Sequence, residues 1–501
     1  MRQAARGAPN RREWLSGLLG SAAVAGGRCG SALWPPGLPV AAVLAGLAAP
    51  AARATGTGGA LPYTADDLAQ AVRLRERALG DNLAWQLAES LCTEVGPRPA
   101  GSEADERAVA WARAQLQRLG FARVRADPIE LQVWQRGPGR AHLTAPHPRE
   151  LVMTALGNSP PTPEGGLEGE LAYYPDFEAL LAESSERADR ARGRIVFIDQ
   201  KMERTRDGSG YGSAVRARVV GPMEAARRGA IALVIRSIGT DRDRVAHTGM
   251  MARDPARPVV PAAALSVPDA QVLERLHAAG APLRLKLVIG AREAVPARTH
   301  NVLAEVPGTD LAREIVLVGA HLDSWDVGQG ALDNAAGVAI VVAAAQQILA
   351  LGLRPRRTVR VVLFGNEENG FDGARHYAER YREEAHQLVG ESDFGAGRVW
   401  RLRSRVAPAA FGAIEAMAPL LAPLQVALGD NQGNPGPDAA VLMRRNRWSA
   451  IELSQDGTDY FDVHHTDNDT LERIDPAALR QNVAAWSVVT WLAAQSALGF
   501  G

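Results

Sequence analysis

Histidine and acidic side chains follow directly after an apolar run in the second half of the sequence. In the segment REIVLVGAHLDS, His321 and Asp323 stand at the end of a nearly continuous hydrophobic stretch. Such a stretch is typical of a strand buried on both faces, and open α/β sheets bind ligands at the carboxyl ends of their strands. His321 can offer an imidazole nitrogen to a metal. Asp323, two residues further along an extended chain, points the same way and can accept the other ring N–H. We therefore predict a metal site at this strand end.

A second apolar run, TVRVVLF, is followed closely by the adjacent carboxylates of Glu367 and Glu368. Two neighbouring carboxylates repel each other, which favours a cation in the same pocket. One of them can bind a metal while the other takes a proton from the attacking water, and hydrolysis requires this division of roles. The pair therefore predicts a hydrolytic metal site.

The remaining candidate ligands lie further along the same part of the chain. Asp333 stands at an expected helix start, where the helix dipole favours a carboxylate, and its two oxygens can bridge two metals. Asp393 follows another short predicted strand, in GESDFGAG. These segments offer the nitrogen and oxygen ligands that zinc accepts. A polar loop before the final predicted helix, DYFDVHHTDNDT, contains His464, His465, Asp467 and Asp469.

Each candidate has a simpler interpretation when it is considered alone. A single histidine is more often a structural or surface residue, and Asp333 could simply cap a helix. Glu367 and Glu368 could lie in a solvated helix start. Two imidazoles and several carboxylates at the ends of consecutive strands are nevertheless an improbable coincidence. A cysteine-based zinc site is excluded, because Cys29 and Cys92 are the only cysteines.

The composition indicates a globular chain without a polyanionic partner. The chain has 501 residues, of which 46% are hydrophobic, enough for one large core or two to three domains. The 56 basic residues are balanced by 56 acidic residues. Nucleic-acid binding is therefore not expected, because it requires a basic surface.

The N-terminal segment is typical of an export signal. Four arginines within the first twelve residues precede small and aliphatic residues, and Ala52-Arg53-Ala54 supplies a small-x-small cleavage site. The segment RREWLSGLL also resembles a twin-arginine signal. We expect residues 1–54 to be removed, the mature chain to begin near Thr55, and the protein to be secreted or periplasmic, free of the membrane. A retained membrane anchor is the alternative, but the longer apolar stretch falls short of the ~20 residues that a span needs.

Changes in sequence pattern divide the mature chain into three parts. Residues 55–136 predict the first part of a catalytic domain, with two helices followed by strands. Residues 137–294, with short β-type runs and many Gly and Pro, predict an inserted β-rich domain with a helix near residues 214–228. Residues 295–501 alternate strands and helices. This alternation predicts an α/β fold with a mostly parallel central sheet and helices on both faces.

Four motifs taken together resemble a known enzyme family. HLDSWDVGQGALDNAAG, GNEENG, ESDFG and FDVHHTDNDT are similar to the motif set of the co-catalytic zinc exopeptidases, the family of bacterial aminopeptidases and glutamate carboxypeptidase. The resemblance extends over residues 67–494 and is closest to the carboxypeptidase Q-like subfamily. Within the inserted part, KMERTRDGSGYGSAVRARVV is similar to a protease-associated-type domain. The resemblance implies the zinc exopeptidase fold with such an insert.

The same resemblance implies two Zn²⁺ ions per chain and a ligand set for each. One zinc would be held by His321 and Asp393. The other would be held by Glu368 and His465. Asp333 would bridge the two ions.

The resemblance also implies roles for residues around the metals. Asp323 would orient the first histidine, and Glu367 would be the general base. A cis peptide bond would follow the bridging aspartate, before Asn334. Of the two adjacent histidines, His465 fits the family pattern His-Ser/Thr-x-x-Asp-Thr, and His464 is the weaker candidate ligand.

Two exopeptidase specificities share this metal core. The resemblance favours hydrolysis of short peptides, especially unblocked dipeptides, by a homodimer. Binding the free carboxylate of a dipeptide calls for an arginine, but no particular arginine is singled out by the sequence. The alternative is an aminopeptidase that removes single residues from longer peptides. Transferrin-receptor-like ectodomains share the fold without catalysis, so a pure binding role is a third hypothesis.

Overall fold

The computed structural model describes residues 62–184 and 190–501. The predicted export signal at residues 1–54 and the expected mature start at Thr55 lie outside the described residues. Within them, the strands join into one extended sheet with helices packed on its faces.

The strands and helices have the following bounds. The strands are β1 (Ala122–Ala145), β2 (Arg149–Leu151), β3 (Met153–Ala155), β4 (Leu167–Tyr174), β5 (Ile195–Ile198), β6 (Ala232–Arg236), β7 (Ala262–Leu265), β8 (Arg284–Val306), β9 (Leu311–His321), β10 (Arg357–Phe364), β11 (Ala385–Glu391), β12 (Val399–Arg405), β13 (Ala427–Leu428) and β14 (Ala450–Gln455). The α-helices are α1 (Ala65–Gly80), α2 (Leu83–Ser90), α3 (Glu103–Arg118), α4 (Phe177–Ala182), α5 (Ser209–Ala214), α6 (Arg216–Val219), α7 (Gly221–Arg227), α8 (Val267–Ala278), α9 (Ala336–Ala350), α10 (Asp372–Arg380), α11 (Phe411–Glu415), α12 (Ala418–Leu421), α13 (Pro437–Asn446) and α14 (Pro476–Gln495). Short π-helical turns are Leu91–Val95 and Ala331–Ala335, and 3₁₀ turns are Pro408–Ala410, Ala422–Leu424, Tyr460–Asp462 and Leu471–Arg473.

The sheet has a parallel centre with antiparallel neighbours on either side. Its order is β13-β12-β14-β11-β9-β10-β8-β4-β5-β6-β7-β3. Strands β14, β11, β9 and β10 are parallel to one another. Next to them, β8 pairs antiparallel with β10, and β12 pairs antiparallel with β14. The predicted α/β fold with a parallel central sheet is confirmed.

Helices cover both faces of the parallel centre because β9 alternates between two cores. Val316, Val318 and Ala320 lie in one core, which includes side chains of α9 and α14. Ile315 and Leu317 lie in the other, which includes side chains of α10 and α13. A strand covered on both faces has no solvent-facing side, which explains the apolar run in β9 and the burial of every residue of β10, its arginines included. The carboxyl ends of these strands are thus held by cores on both faces.

The inserted part has its own core around a second parallel group. Strands β4, β5, β6 and β7 are parallel neighbours, and side chains of α4, α5 and α7 pack with them. The single helix predicted near residues 214–228 is instead divided into α6 and α7, with α5 just before it. A proline at the start of α7 allows a helix to begin there but removes the N–H that would continue α6.

Two long antiparallel strands join the inserted part to the catalytic sheet. The β1/β8 ladder runs from the pair Ala122–Glu305 to the pair Ala145–Arg284. The expected domain boundaries at residues 137 and 294 fall inside these strands, and they stay predictions. A β-carbon on Gly137 would lie 1.7 Å from a backbone oxygen of the facing strand, so glycine permits the close approach there. Register shifts along the ladder accommodate such irregular residues without ending the strands.

One helical segment among the described residues, Ala331–Ala350, is apolar and long enough to cross a membrane. Most of it is buried inside the protein, where it forms α9 and the turn before it. A buried core helix satisfies the same length and composition test.

Candidate metal centre

The predicted site residues converge at one edge of the parallel sheet. His321 is the last residue of β9, Glu367 and Glu368 follow the end of β10, and Asp393 lies two residues beyond β11. These strands are parallel neighbours, so their carboxyl ends meet at the same edge. His465 reaches this edge from a turn after Tyr460–Asp462 and has left-handed backbone, with φ +62°.

The first half of the centre brings together His321, Asp333 and Asp393. The Nε2 atom of His321 lies 3.1 Å from Oδ1 of Asp333 and 3.2 Å from Oδ1 of Asp393. The three side chains are buried. One imidazole nitrogen and two carboxylate oxygens therefore face a common point.

The second half has the same composition around the other oxygen of Asp333. The Nε2 atom of His465 lies 3.2 Å from Oδ2 of Asp333 and 3.2 Å from Oε2 of Glu368. The ring of His464 stacks on that of His465 with centroids 3.5 Å apart, and its Nε2 lies 3.5 Å from the same Asp333 oxygen. Both histidines are thus near this half, but the contact to Glu368 is made by His465.

The geometry and chemistry of both halves fit zinc ions. Ligand atoms that surround a tetrahedral zinc at about 2.0–2.2 Å lie roughly 3.3 Å apart, close to the separations in both halves. Two groups of ligand atoms close enough to hold a metal share Asp333, one with His464 and His465 and the other with His321 and Glu368. In addition, Oε1 of Glu368 is buried without a hydrogen-bond partner in the described structure. A cation would satisfy a carboxylate that has otherwise lost its water.

The pKa directions of three side chains indicate that their part of the cluster favours positive charge, whereas burial lowers the pKa of His464 and His465. Burial raises the pKa of both Glu367 and Glu368 well above the usual value. For His321, burial lowers the pKa, but the surrounding carboxylates, Asp393 first among them, raise it well above the usual value. Protons would therefore gather on these side chains when no cation is present. Divalent cations would replace those protons.

Asp323 contacts the glutamate pair as well as the first histidine. Nδ1 of His321 lies 2.9 Å from the backbone oxygen of Asp323 and 3.7 Å from its carboxylate oxygen Oδ1. The carboxylate instead accepts the backbone N–H of Glu367 at 3.0 Å and that of Glu368 at 3.3 Å. The chain turns after His321, which brings the carbonyl rather than the carboxylate closest to the ring.

Asp333 is fixed from the other side by a residue whose role was not predicted. The two oxygens of Asp469 accept the backbone N–H of Leu332 at 2.7 Å and that of Asp333 at 3.1 Å. The peptide bond between Asp333 and Asn334 is cis, as predicted. The only sequence signal for Asp469 was its place in the polar loop that follows His465.

Arg98 holds the loop between His321 and Asp333, and it too was not singled out from the sequence. Its buried guanidinium donates to four backbone carbonyls, those of Gly96, Leu322, Gln329 and Gly330. The turn-rich segment VGPRPAGS that contains it was the available signal. Because the guanidinium of Arg98 binds carbonyl oxygens, it fixes the loop and leaves the carboxylates of the predicted ligands available to a metal.

Comparisons with known proteins identify relatives of this chain and of its fold. The family model described as "Peptidase family M28" matches residues 301–490. Carboxypeptidase Q from Mus musculus is 32% identical over 432 residues, covering 86% of this chain and 89% of that protein. The crystal structure of a peptidase M28 precursor from Shewanella amazonensis is 44% identical with a TM-score of 0.84, covering 87% of this chain and 98% of that one. BSAP, a zinc aminopeptidase from Bacillus subtilis, shares the fold with a TM-score of 0.58 at 18% identity, over 81% of this chain and 94% of that one.

Proposed function

The chain belongs to peptidase family M28 and is a zinc metallopeptidase of the exopeptidase type, and we propose that it is an exported enzyme that uses two zinc ions to hydrolyse unblocked dipeptides. Peptides are the substrates of this family. The number of zinc ions, the residues that hold them, the preference for dipeptides and the export are parts of the proposal.

The proposal of two zinc ions is supported by the way Asp333 serves both halves of the centre. Its Oδ1 lies beside Nε2 of His321, which also contacts Asp393, and its Oδ2 lies beside Nε2 of His465, which also contacts Glu368. Each ion would then have three protein ligands. Catalytic zinc sites have this number and keep a further position for water or substrate.

In this proposal Glu367 is the group that moves protons. When bound, the zinc ions polarise the scissile carbonyl and make water more acidic. Glu367 takes a proton from the attacking water and returns it to the leaving amine. Its side chain is half-buried at the margin of the centre, whereas that of Glu368 is buried against His465. Asp323 binds the backbone N–H groups of both glutamates and so fixes the position of the base, Glu367, relative to the ligand, Glu368.

The observation that carries the dipeptide specificity is the buried cation of Arg218, in the inserted part. Its residue is 2% exposed, and no carboxylate of the described structure forms a salt bridge with it. Its Nη1 donates to the backbone oxygen of Thr248 at 3.1 Å, and that oxygen lies 3.3 Å from Nδ1 of His465. Buried charges are normally paired, because leaving water is costly. An unpaired guanidinium beside the metal centre therefore favours an anionic group of the substrate.

Tyr211 connects this cation with the site. Its hydroxyl oxygen accepts from Nη2 of Arg218 at 2.6 Å, which leaves the hydroxyl hydrogen available for donation. The half-buried ring lies against His464, with centroids 5.3 Å apart. The C-terminal carboxylate of a dipeptide would accept this hydrogen next to the positive charge of Arg218. An amidated dipeptide lacks that carboxylate, and a longer peptide has a neutral peptide group in its place.

A panel of blocked and unblocked peptides tests the specificity. We expect free dipeptides to be cleaved efficiently, and amidated or N-acetylated dipeptides and long peptides poorly. Arg218→Gln should raise KM for free dipeptides about 10–100-fold and reduce the discrimination against amides. Arg216→Gln is the matched control, since Arg216 lies on the same short helix but is paired with Glu178. Zinc content is measured in parallel, so that loss of metal is not mistaken for loss of substrate binding.

The same panel decides between the two exopeptidase specificities. If wild-type enzyme cleaved amidated dipeptides and long peptides as well as free dipeptides, the single-residue aminopeptidase would replace the dipeptidase. The absence of zinc and of any peptide cleavage would favour the binding role.

Export and homodimer formation stay predictions of the sequence. Export predicts that protein from the periplasm or the medium begins near Thr55 in its mass spectrum. An exported chain that retains Met1 would contradict the cleaved signal.

A further inference from the structure

We propose that two residues of the inserted part, His247 and Thr248, are positioning residues that hold the turn of His464 and His465 and so present Nε2 of His465 to its metal. The inference rests on the proposed function, in which His465 is a zinc ligand. It assigns the inserted part a role in building one half of the metal centre, in addition to contacting substrate.

Thr248 binds His465 through both of its backbone polar groups. Its backbone N–H donates to the backbone oxygen of His465 at 3.0 Å. Its backbone oxygen lies 3.3 Å from Nδ1 of the His465 ring. A carbonyl can only accept, so it places the ring hydrogen on Nδ1 and leaves Nε2 with the lone pair that a metal needs.

His247 holds the preceding residue of the turn. Its Nδ1 lies 2.7 Å from the backbone oxygen of His464, and its Nε2 lies 2.8 Å from a carboxylate oxygen of Asp241. The backbone N–H of His247 donates to the hydroxyl of Ser237 at 2.8 Å. His247 and Asp241 are both buried. The ring therefore has an oxygen partner on each side and connects the inserted part with the turn.

The positioning residues are themselves closely confined. A β-carbon on Gly239 would lie 2.3 Å from the ring of His247, so the inserted chain passes directly over it. The hydroxyl of Thr248 donates to the backbone oxygen of Ala155 at 3.0 Å and accepts from Nη2 of Arg136 at 2.9 Å. Such confinement limits how far the turn can move.

The conformation of the turn explains why it needs this support. His465 has a left-handed φ, which costs free energy for a residue with a side chain and persists where the surroundings hold it. Partners of the second nitrogen of a metal-binding histidine typically contribute 10–100-fold to metal affinity. For His465 that partner is the carbonyl of Thr248, the residue after His247. Loss of His247 should disturb this carbonyl and the turn together, and so weaken one metal and spare the other.

Zinc titration of the metal-free full chain against a competing chelator tests the proposal. Wild type should bind two zinc ions and His465→Ala only one. His247→Ala, which removes a partner one step further from the metal than the Thr248 carbonyl, should retain one zinc at wild-type affinity and bind the second about tenfold more weakly. His247→Gln keeps one donor and should lose less, and Asp241→Asn, which removes the charge opposite the ring, should also lose less. His277→Ala is the matched control, because His277 is in the same inserted part but stacks on Tyr173.

Cobalt substitution provides a second readout that a general loss of stability would not produce. The visible spectrum of the more weakly bound cobalt should change in His247→Ala, while that of the first cobalt stays the same. If His247→Ala does not fold, His247→Gln and Asp241→Asn decide the question.

Two results would overturn the inference, and they are distinguishable. If wild type binds two zinc ions and His465→Ala one, but the His247 and Asp241 variants bind both with wild-type affinity, the positioning role is wrong and the metal assignment stands. If His465→Ala itself binds two zinc ions with wild-type affinity, the metal assignment fails and the positioning role fails with it.

Discussion

The two halves of the metal centre are built from the same side-chain types but are held in different ways. His321 ends a strand that is paired on both sides, and the oxygen facing its Nδ1 belongs to Asp323, two residues away. His465 lies in a turn, and the oxygen facing its Nδ1 belongs to Thr248, 217 residues away in the sequence. The ring of His321 is thus oriented by local structure. The ring of His465 is oriented only when distant parts of the chain have come together.

The largest expected effect concerns the residue that both halves share. Asp333→Ala removes an oxygen from each half, so we expect both zinc ions to be lost and activity to fall to background. Metal analysis after dialysis and dipeptide hydrolysis measure this. Retention of one tightly bound zinc would mean that the halves do not depend equally on Asp333.

Loss of the proposed base, Glu367, should lower turnover without affecting zinc binding in either half of the centre. Glu367→Gln preserves volume but removes the proton acceptor, so we expect turnover to fall about 10²–10⁴-fold while both zinc ions stay bound. Steady-state kinetics and zinc content are measured on the same preparation. Turnover close to that of wild type would show that another group is the base.

A smaller effect separates the two halves directly. Glu368→Gln and Asp393→Asn should each lose one zinc, from the His465 half and the His321 half respectively. The zinc left in Glu368→Gln lies in the half held by strands. We expect it to bind about tenfold more tightly than the zinc left in Asp393→Asn, since outer-shell order contributes to metal affinity. Equal zinc affinities in the two variants would show that the halves do not differ in how firmly they hold a metal.

The smallest effect concerns the contact between the inserted part and the segment before His465. Arg204 bridges these parts through Asp459, at 2.7 Å, and Asp462, at 2.5 Å. Both ion pairs are partly exposed and screened by water, so Arg204→Ala should cost about 1 kcal/mol of stability or less. Thermal unfolding measures this. Arg298→Ala is the control, because its exposed pair with Glu130 lies within the β1/β8 ladder.

The site residues at the ends of strands could be predicted from the sequence, because an apolar run before each of them indicates a buried strand. His321 and Glu367 follow buried strands, and the parallel pairing of those strands brings them together. The assignment of each ligand to one half came from the resemblance to a family, since spacing alone does not determine it. The turn after His321, which brings the carbonyl of Asp323 nearest to the ring, also depends on loop geometry that no pattern expressed.

The contributions of the inserted part could not be predicted from the sequence. His247 and Thr248 lie in RVAHTGMM, which has no motif and no periodicity, and their partners are more than two hundred residues away. The unpaired charge of Arg218 is likewise a property of the packed structure, because sequence does not show which of many arginines lacks a carboxylate. The full length of β1 could not be predicted, because glycine and proline within it indicate the end of a strand. Bulges accommodate these residues in the structure.

The β1/β8 ladder constrains the order in which the chain folds. Its paired residues are more than a hundred positions apart, and contacts of that kind form late because a long loop must close first. The parallel strands β4 to β7 lie within that loop and can assemble around their own core earlier. We expect pulsed hydrogen exchange during refolding to protect β5 and β6 before β1 and β8. On this pathway the inserted part matures first, and the catalytic sheet, which pairs β10 with β8, is completed around it.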